Sequence, residues 1–349
     1  MSEKKLKIAV IGAGIIGCTS AVVLIESIPN VDITIISEKF TPNTTSDGSG
    51  GLIYPYLSGS TDRQRIRKWI NNSLVYLNKY YQLPDSGKFG IGLLSMYYLL
   101  EDEEVFDYPD FDDIMISQRP MTSSELKQFS SSSSSESQNK WTKGVYVTTY
   151  YAECRKLLPY LLQQFKSKGG KVCQQRVDSL QQLIGKYDIV INCRGLEAGK
   201  CSADQSVHPI RGQVYRISAP WIKHSVMAGN HYIVPNSDCV VLGGTKQLNN
   251  WDTMVDPKDS KDIMDGCSQL IPSIRAAQVV NEWVGLRPGR HEVRLEREVI
   301  SDGQSNNQLQ VIHNYGHGGC GVTLSFGCAH EVLDYVQQII SSNNVKSRL

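Results

Sequence analysis

No charge of one sign predominates in this chain: 36 Lys and Arg stand against 35 Asp and Glu, a formal net charge of +1 over 349 residues. Without a positive excess there is no long-range field to gather a nucleic-acid backbone, so neither DNA nor RNA is an expected partner. Nine cysteines are an odd number and none forms a CxxC pair, so no disulfide framework and no zinc-finger spacing can be read. A reducing interior compartment is expected. No apolar run reaches the roughly 18 residues of a membrane span, and the opening MSEKKLKIAVIG has no secretory apolar core. Neither export nor a membrane span is expected.

What is present reads as a globular enzyme. Charged residues make up 20% and AVILMFWYC residues 40% of a chain that exceeds the roughly 250 to 300 residues at which single cores stop growing. Two packed lobes are expected. Lys5 to Ile11 is an apolar strand, Ile16, Ser20, Val23, Leu24 and Ile28 recur at helical spacing, and Val31 to Ile36 is a second, β-branched strand. This is a βαβ unit. Arg65 to Tyr81 carries Ile66, Trp69, Ile70, Leu74, Leu77 and Tyr81 on one face, the pattern of a surface helix. Further strands are expected at 144–149, 171–177, 188–193, 213–217, 232–235, 239–242 and 308–313, with few helices between those of the third quarter. A mostly antiparallel second lobe follows. Val332, Leu333, Val336, Ile339 and Ile340 mark a closing amphipathic helix, and the serines from Ser130 to Ser135 read as a surface loop.

The chemistry begins at Gly12-Ala13-Gly14-Ile15-Ile16-Gly17, placed between the first strand and its helix. There Gly12 permits a tight turn, Gly14 lets the backbone approach a pyrophosphate, and Gly17 allows close helix-to-strand packing. The helix N-terminus adds free N–H groups and a positive dipole end. Glu38, 21 residues past Gly17, stands where a carboxylate accepts hydrogen bonds from an adenosine ribose. A dinucleotide is expected, and these residues do not choose between NAD and FAD. The segment from Glu38 and Lys39 through Thr44, Thr45 and Ser46 to Gly50, Gly51 and Leu52 offers hydroxyls to phosphate and unhindered amides to a flat ring.

Six strings spread over the chain carry a resemblance: VIGAGIIG, ITIISEKFTPNTTSD, IRGQVYRISAPWIKH, VVLGGTKQLNNW, VGLRPGRHEVRLERE and VIHNYGHGGCGVTLSFG. The sequence resembles the D-amino-acid oxidase and D-aspartate oxidase flavoproteins. That resemblance implies an α/β (α+β) fold with a Rossmann-type FAD-binding lobe (1–58, 143–197 and 286–349) and an inserted substrate lobe (59–142 and 198–285) built on a large, mostly antiparallel twisted sheet. FAD is the implied cofactor. Arg287 matches the arginine that grips the substrate α-carboxylate, and Tyr232 the tyrosine whose hydroxyl reaches the same group; by residue type alone they would be a solvated charge and a packed ring. Gly318, Gly319, Cys320, Gly321, Val322 and Thr323 resemble the carboxyl-terminal flavin loop, with the Thr323 hydroxyl donating to the flavin pyrimidine carbonyl and the Gly319 carbonyl accepting from the substrate amine. Val177 and Gly195 look like contacts with the adenosine portion. His313 and His317 lack a third ligand for a metal and read as buried hydrogen-bonding residues.

Lys246 decides the expected substrate. Members that prefer acidic D-amino acids carry a basic residue at this position, so the resemblance implies D-aspartate and D-glutamate, oxidised by hydride transfer to flavin with dioxygen as second substrate. Hydrogen peroxide, oxaloacetate and ammonia are the implied products. The chain departs from the pattern in carrying Lys rather than Arg, in a short 224–232 loop, and in Met227 near the place of a second pocket arginine. A preference for neutral D-amino acids, or an FAD-binding protein that does not turn over, therefore stay open. The closing tripeptide Ser347-Arg348-Leu349 is a variant of the peroxisomal address, which implies an import receptor as partner and the peroxisome matrix as location.

Overall fold

The computed structural model describes residues 5–106, 111–129, 140–301 and 307–346. The Ser130 to Ser135 run and the Ser347-Arg348-Leu349 tripeptide lie outside the described residues. The chain runs β1 (Leu6–Ile11), α1 (Ile15–Ser27), β2 (Val31–Ser37), α2 (Arg63–Tyr81), β3 (Ile91–Leu100), β4 (Ser117–Pro120), α3 (Ser123–Lys127) and β5 (Lys143–Ala152). Next come α4 (Cys154–Ser167), β6 (Lys171–Gln174), β7 (Ile189–Asn192), α5 (Glu197–Cys201), β8 (His208–Ser218), β9 (Ser225–Ala228), β10 (His231–Pro235) and β11 (Val240–Gly243). The last part is β12 (Gln247–Leu248), α6 (Pro257–Leu270), β13 (Gln278–Gly289), β14 (Arg294–Ser301), β15 (Gln308–Tyr315) and α7 (Gly321–Lys346).

Two sheets organise these elements. The first has six strands in the order β14-β15-β7-β1-β2-β6, parallel except where β14 meets β15. Buried on both faces, β1 reads Ile8, Ala9, Val10 and Ile11 without a polar break, as a central parallel strand must. The second has nine strands, β12-β8-β11-β10-β9-β3-β5-β4 with β13 also paired to β8, and only β3 and β9 run parallel. A Rossmann-type lobe thus sits beside a mostly antiparallel one.

The sheets divide the chain differently from the expected boundaries at three places. β5 was assigned to the dinucleotide lobe but pairs over its whole length with β3 of the large sheet. β13 extends to Gly289, past the boundary at 285, because it follows β8 in register down to Gly289 opposite His208. The first inserted segment also contributes α2 to the other lobe, where Trp69 and Ile70 are fully buried in the core that holds α1 and α7. Glu331 of α7 secures that helix by accepting from Trp69 Nε1 at 2.9 Å and Arg65 Nη2 at 2.8 Å. Strand β6 stops at Gln174, short of the expected 177, where the backbone leaves the pairing with β2.

Candidate active site

One cavity of about 860 Å³ runs from the βα turn at Gly12 and Gly14 to Tyr232 and Arg287 on the large sheet. The turn closes as its spacing predicts. Gly12 has φ of +106°, and a Cβ on Gly17 would stand 1.9 Å from the Gly12 carbonyl oxygen, so the helix can start this close to the strand only without a side chain there. Ile15 N–H donates to Ser46 Oγ at 3.0 Å, which ties the 44–48 turn to the helix N-terminus. That turn is fixed from within: buried Asp47 accepts from Thr44 N–H at 2.9 Å, Thr44 Oγ1 at 2.7 Å and Thr41 Oγ1 at 2.6 Å.

Most of the residues expected at a cofactor converge here. Gly12, Gly14, Ile15, Ile16, Glu38, Lys39, Thr44, Thr45, Ser46, Gly50, Gly51, Leu52, Val177, Gly195, Gly318, Gly319, Gly321, Val322 and Thr323 all line the cavity. Two of the expected cofactor contacts, Gly17 and Cys320, do not line the cavity, and Gly17 keeps its expected packing role. Gly17 lies beneath the turn, where it packs against Gly12. Cys320 is buried and turns its Sγ to the Tyr56 backbone, because α7 begins just after it and rotates the side chain inward. Thr323 reaches the cavity, and its hydroxyl also lies within hydrogen-bond distance of the Tyr54 backbone, donating to the carbonyl at 3.0 Å and accepting from N–H at 3.2 Å.

At the far end the pleat of the large sheet sets the geometry. Arg287, Gly285 and Trp283 alternate along β13 and share one face, and the cross-strand row Tyr232, Gly243, Val214 and Trp283 lies on the same side. Arg287 lies flat across β8: a Cβ on Gly212 would stand 2.4 Å from its Nη2, so that glycine makes room for the guanidinium. Its Nη1 donates to the Thr245 carbonyl at 2.9 Å, and no described carboxylate pairs with it. Burial raises the Tyr232 phenol above its usual pKa, while the charge and hydrogen bond of Arg287 pull it back. Tyr56, raised by burial and opposed by Arg287, completes a group of neutral hydroxyls around one cation.

Lys246 stands elsewhere than expected. Its neighbour Gln247 pairs with Arg211 and shares that residue's face toward α6, so alternation puts Lys246 on the opposite face, that of Arg287. Its side chain is nevertheless exposed and does not line the cavity. Without a carboxylate partner, an ammonium keeps its hydration rather than enter a partly apolar space. The walls there are Leu52, Met227, Val214, Val234 and Trp283. Tyr56, Trp283, Thr253 and Arg176 were missed in the sequence; of these, Trp283 was within reach, two strand periods before Arg287.

The two histidines differ. His313 Nε2 donates to Glu298 at 2.8 Å and its Nδ1 accepts from Asn192 Nδ2 at 3.2 Å, whereas buried His317 leaves Nε2 without a hydrogen bond among the described residues. Beside them, burial would raise Asp204, but hydrogen bonds from Ser206, Arg290 and Tyr315 hold its pKa at about 2. This acid anchors Arg290 and Tyr315, which flank the loop running from Gly316 to Gly319.

Residues 7–335 match the family model described as FAD dependent oxidoreductase. The chain belongs to this family. Similar proteins include a D-amino acid oxidase of Dugesia ryukyuensis, 40% identical over 96% of this chain and 98% of the relative, and the human D-aspartate oxidase, 34% identical over 96% and 95%. The fold is that of glycine oxidase from Geobacillus kaustophilus, with a TM-score of 0.76, 18% identity and coverage of 96% and 95%. FAD is therefore the cofactor, and the cavity fits it: about 860 Å³, lined by Gly12, Gly14, Gly51 and Gly318 where a flat ring and a pyrophosphate need close backbone approach, and by the hydroxyls of the 44–46 turn.

Proposed function

We propose that this FAD-dependent amino acid oxidase acts on D-amino acids and prefers D-aspartate and D-glutamate. One observation carries the amino-acid reading: Arg287 faces the cavity with no acidic partner among the described residues, beside two neutral tyrosine hydroxyls. A partly buried guanidinium left so needs an anion, and a substrate α-carboxylate matches its planar fork. Tyr232 and Arg287 then fix the angle of the α-carbon, and the Gly319 carbonyl accepts from the amine. The bound FAD supplies the two-electron acceptor for the α-hydrogen, with dioxygen reduced to hydrogen peroxide. Orientation and exclusion of water are the protein's share. With D-aspartate the imino acid hydrolyses in water to oxaloacetate and ammonia.

The acidic preference rests on Lys246, exposed next to Thr245, whose carbonyl accepts from Arg287. A dicarboxylate would bring a counter-ion to this ammonium, which has no carboxylate partner among the described residues. Neutral D-amino acids form a second reading, favoured by the apolar Leu52, Met227, Val214 and Val234 walls and by the name of the Dugesia relative. Initial rates with D-aspartate, D-glutamate, D-alanine and L-aspartate separate the two. Lys246→Leu is expected to lower kcat/KM for D-aspartate about threefold, the worth of one exposed ion pair of about 0.7 kcal/mol, and to leave D-alanine unchanged. Equal rates of wild type and variant on D-aspartate would reassign the enzyme to neutral substrates.

A peroxisomal location is proposed from Ser347-Arg348-Leu349 and from the peroxide chemistry. A fluorescent fusion keeping that ending should collect in catalase-containing bodies, and one without Leu349 should stay diffuse.

A further inference from the structure

Arg211 is a charged side chain buried to 1% exposure, and the reaction has no use for it. It lies on β8 opposite Leu286, one position from Arg287 in register, and on the other face of the sheet. Every donor direction is occupied. Nε donates to the Asp252 carbonyl at 3.0 Å and Nη2 to the Met254 carbonyl at 2.7 Å, while Nη1 reaches Asp259 Oδ2 at 2.7 Å and Gln247 Oε1 at 2.9 Å. The two carbonyls are those immediately before and after Thr253. Thr253 is exposed and also lines the cavity, which puts it at the mouth.

The rest of the strap from Asn249 to Asp256 is held the same way. Gln213 accepts from Asp256 N–H at 2.9 Å and donates to the Asp256 carbonyl at 3.0 Å. On the solvent side Asn250 Oδ1 accepts from Asp252 N–H at 2.9 Å, and Asp252 Oδ1 accepts from Met254 N–H at 2.8 Å. Four of its side chains have little else to hold them: Trp251, Met254 and Val255 are exposed at 56%, 72% and 42%, as is Thr253. Polar anchoring, not burial, fixes this segment.

We propose that Arg211 is a positioning residue that holds the strap from beneath, so that Thr253 forms a fixed outer wall and limits the length of the substrate side chain. The claim rests on the amino-acid reading of the cavity and is independent of the preference for acidic substrates. Arg and Lys differ at such a site, because an ammonium keeps the ion pair with Asp259 but cannot fork to both carbonyls.

Arg211→Lys in the FAD-loaded enzyme is therefore the test, read with D-alanine and the long, uncharged D-phenylalanine. The ratio of kcat/KM for D-phenylalanine to that for D-alanine should rise at least fivefold, with kcat on D-alanine held within twofold and faster amide hydrogen exchange confined to the strap. Asp252→Ala, an exposed change that removes only the outer tie to Met254 N–H, should move the ratio in the same direction by a smaller factor and serves if the buried variant does not fold. Faster exchange with an unchanged ratio, an equal change on both substrates, or no change in either variant would overturn the proposal. A failure of the acidic preference leaves this ratio untouched, since neither substrate carries a second carboxylate.

Discussion

Replacement of Arg287 by methionine is expected to lower kcat/KM for every amino acid substrate by about 10³. Two charge-assisted hydrogen bonds to a carboxylate are each worth about 1.5 to 3 kcal/mol, and roughly 4 kcal/mol for the pair corresponds to a thousandfold. Methionine keeps most of the volume across Gly212, so the sheet should hold. The variant should still bind FAD, because the hydrogen bonds that tie the 44–48 turn to the helix N-terminus do not involve the Arg287 side chain. Anaerobic mixing is the measurement: flavin bleaching should become slow at low substrate and recover in part at high concentration. Arg287→Lys should fall between, with charge retained and the fork lost. A loss smaller than tenfold in the methionine variant would remove Arg287 from the carboxylate site and leave its lack of an acidic partner unexplained.

How far the sequence could be read depends on whether a residue's role is local. The βαβ unit was legible because one short segment contains its strand, turn and helix, and Gly12, Gly14 and Gly17 each have a backbone reason to be glycine. Strands β8, β10, β11 and β15 were visible as β-branched runs. Strand β3 was not, since GLLSMYYLL lacks clear alternation. Lys246 shows the limit. Its position next to the Arg287 face is fixed by pairing with β8, but whether its ammonium enters the cavity depends on solvation that no string of letters displays. Thr323 shows another: a hydroxyl in the flavin loop lies within hydrogen-bond distance of the Tyr54 backbone, 269 residues away in the chain. Arg211 was passed over for the same reason, because all its acceptors except Gln213 lie 36 or more residues on.

Gly17→Val should yield a chain that cannot hold FAD. The added Cβ would sit 1.9 Å from the Gly12 carbonyl oxygen and 2.9 Å from its carbon, both backbone atoms in a turn that is itself pinned by Gly12 N–H donating to the Ile36 carbonyl at 2.9 Å. No side-chain rotation relieves that contact. Either α1 moves away from β1, or the turn opens and its amides no longer converge on a phosphate. Overpacking of this kind costs about 1 to 3 kcal/mol, and strain in a special turn adds to it. Gly14→Ala is the control on the same loop, since its Cβ would meet only the Ser46 hydroxyl, at 3.2 Å, which can swing aside. Purified Gly17→Val should be colourless with native-like far-ultraviolet circular dichroism and a lowered melting temperature, and added FAD should not raise it. Gly14→Ala should stay yellow and bind FAD about tenfold more weakly, a loss of about 1.4 kcal/mol. If Gly17→Val retained its flavin, close packing of α1 on the Gly12 turn would not be what shapes the phosphate site.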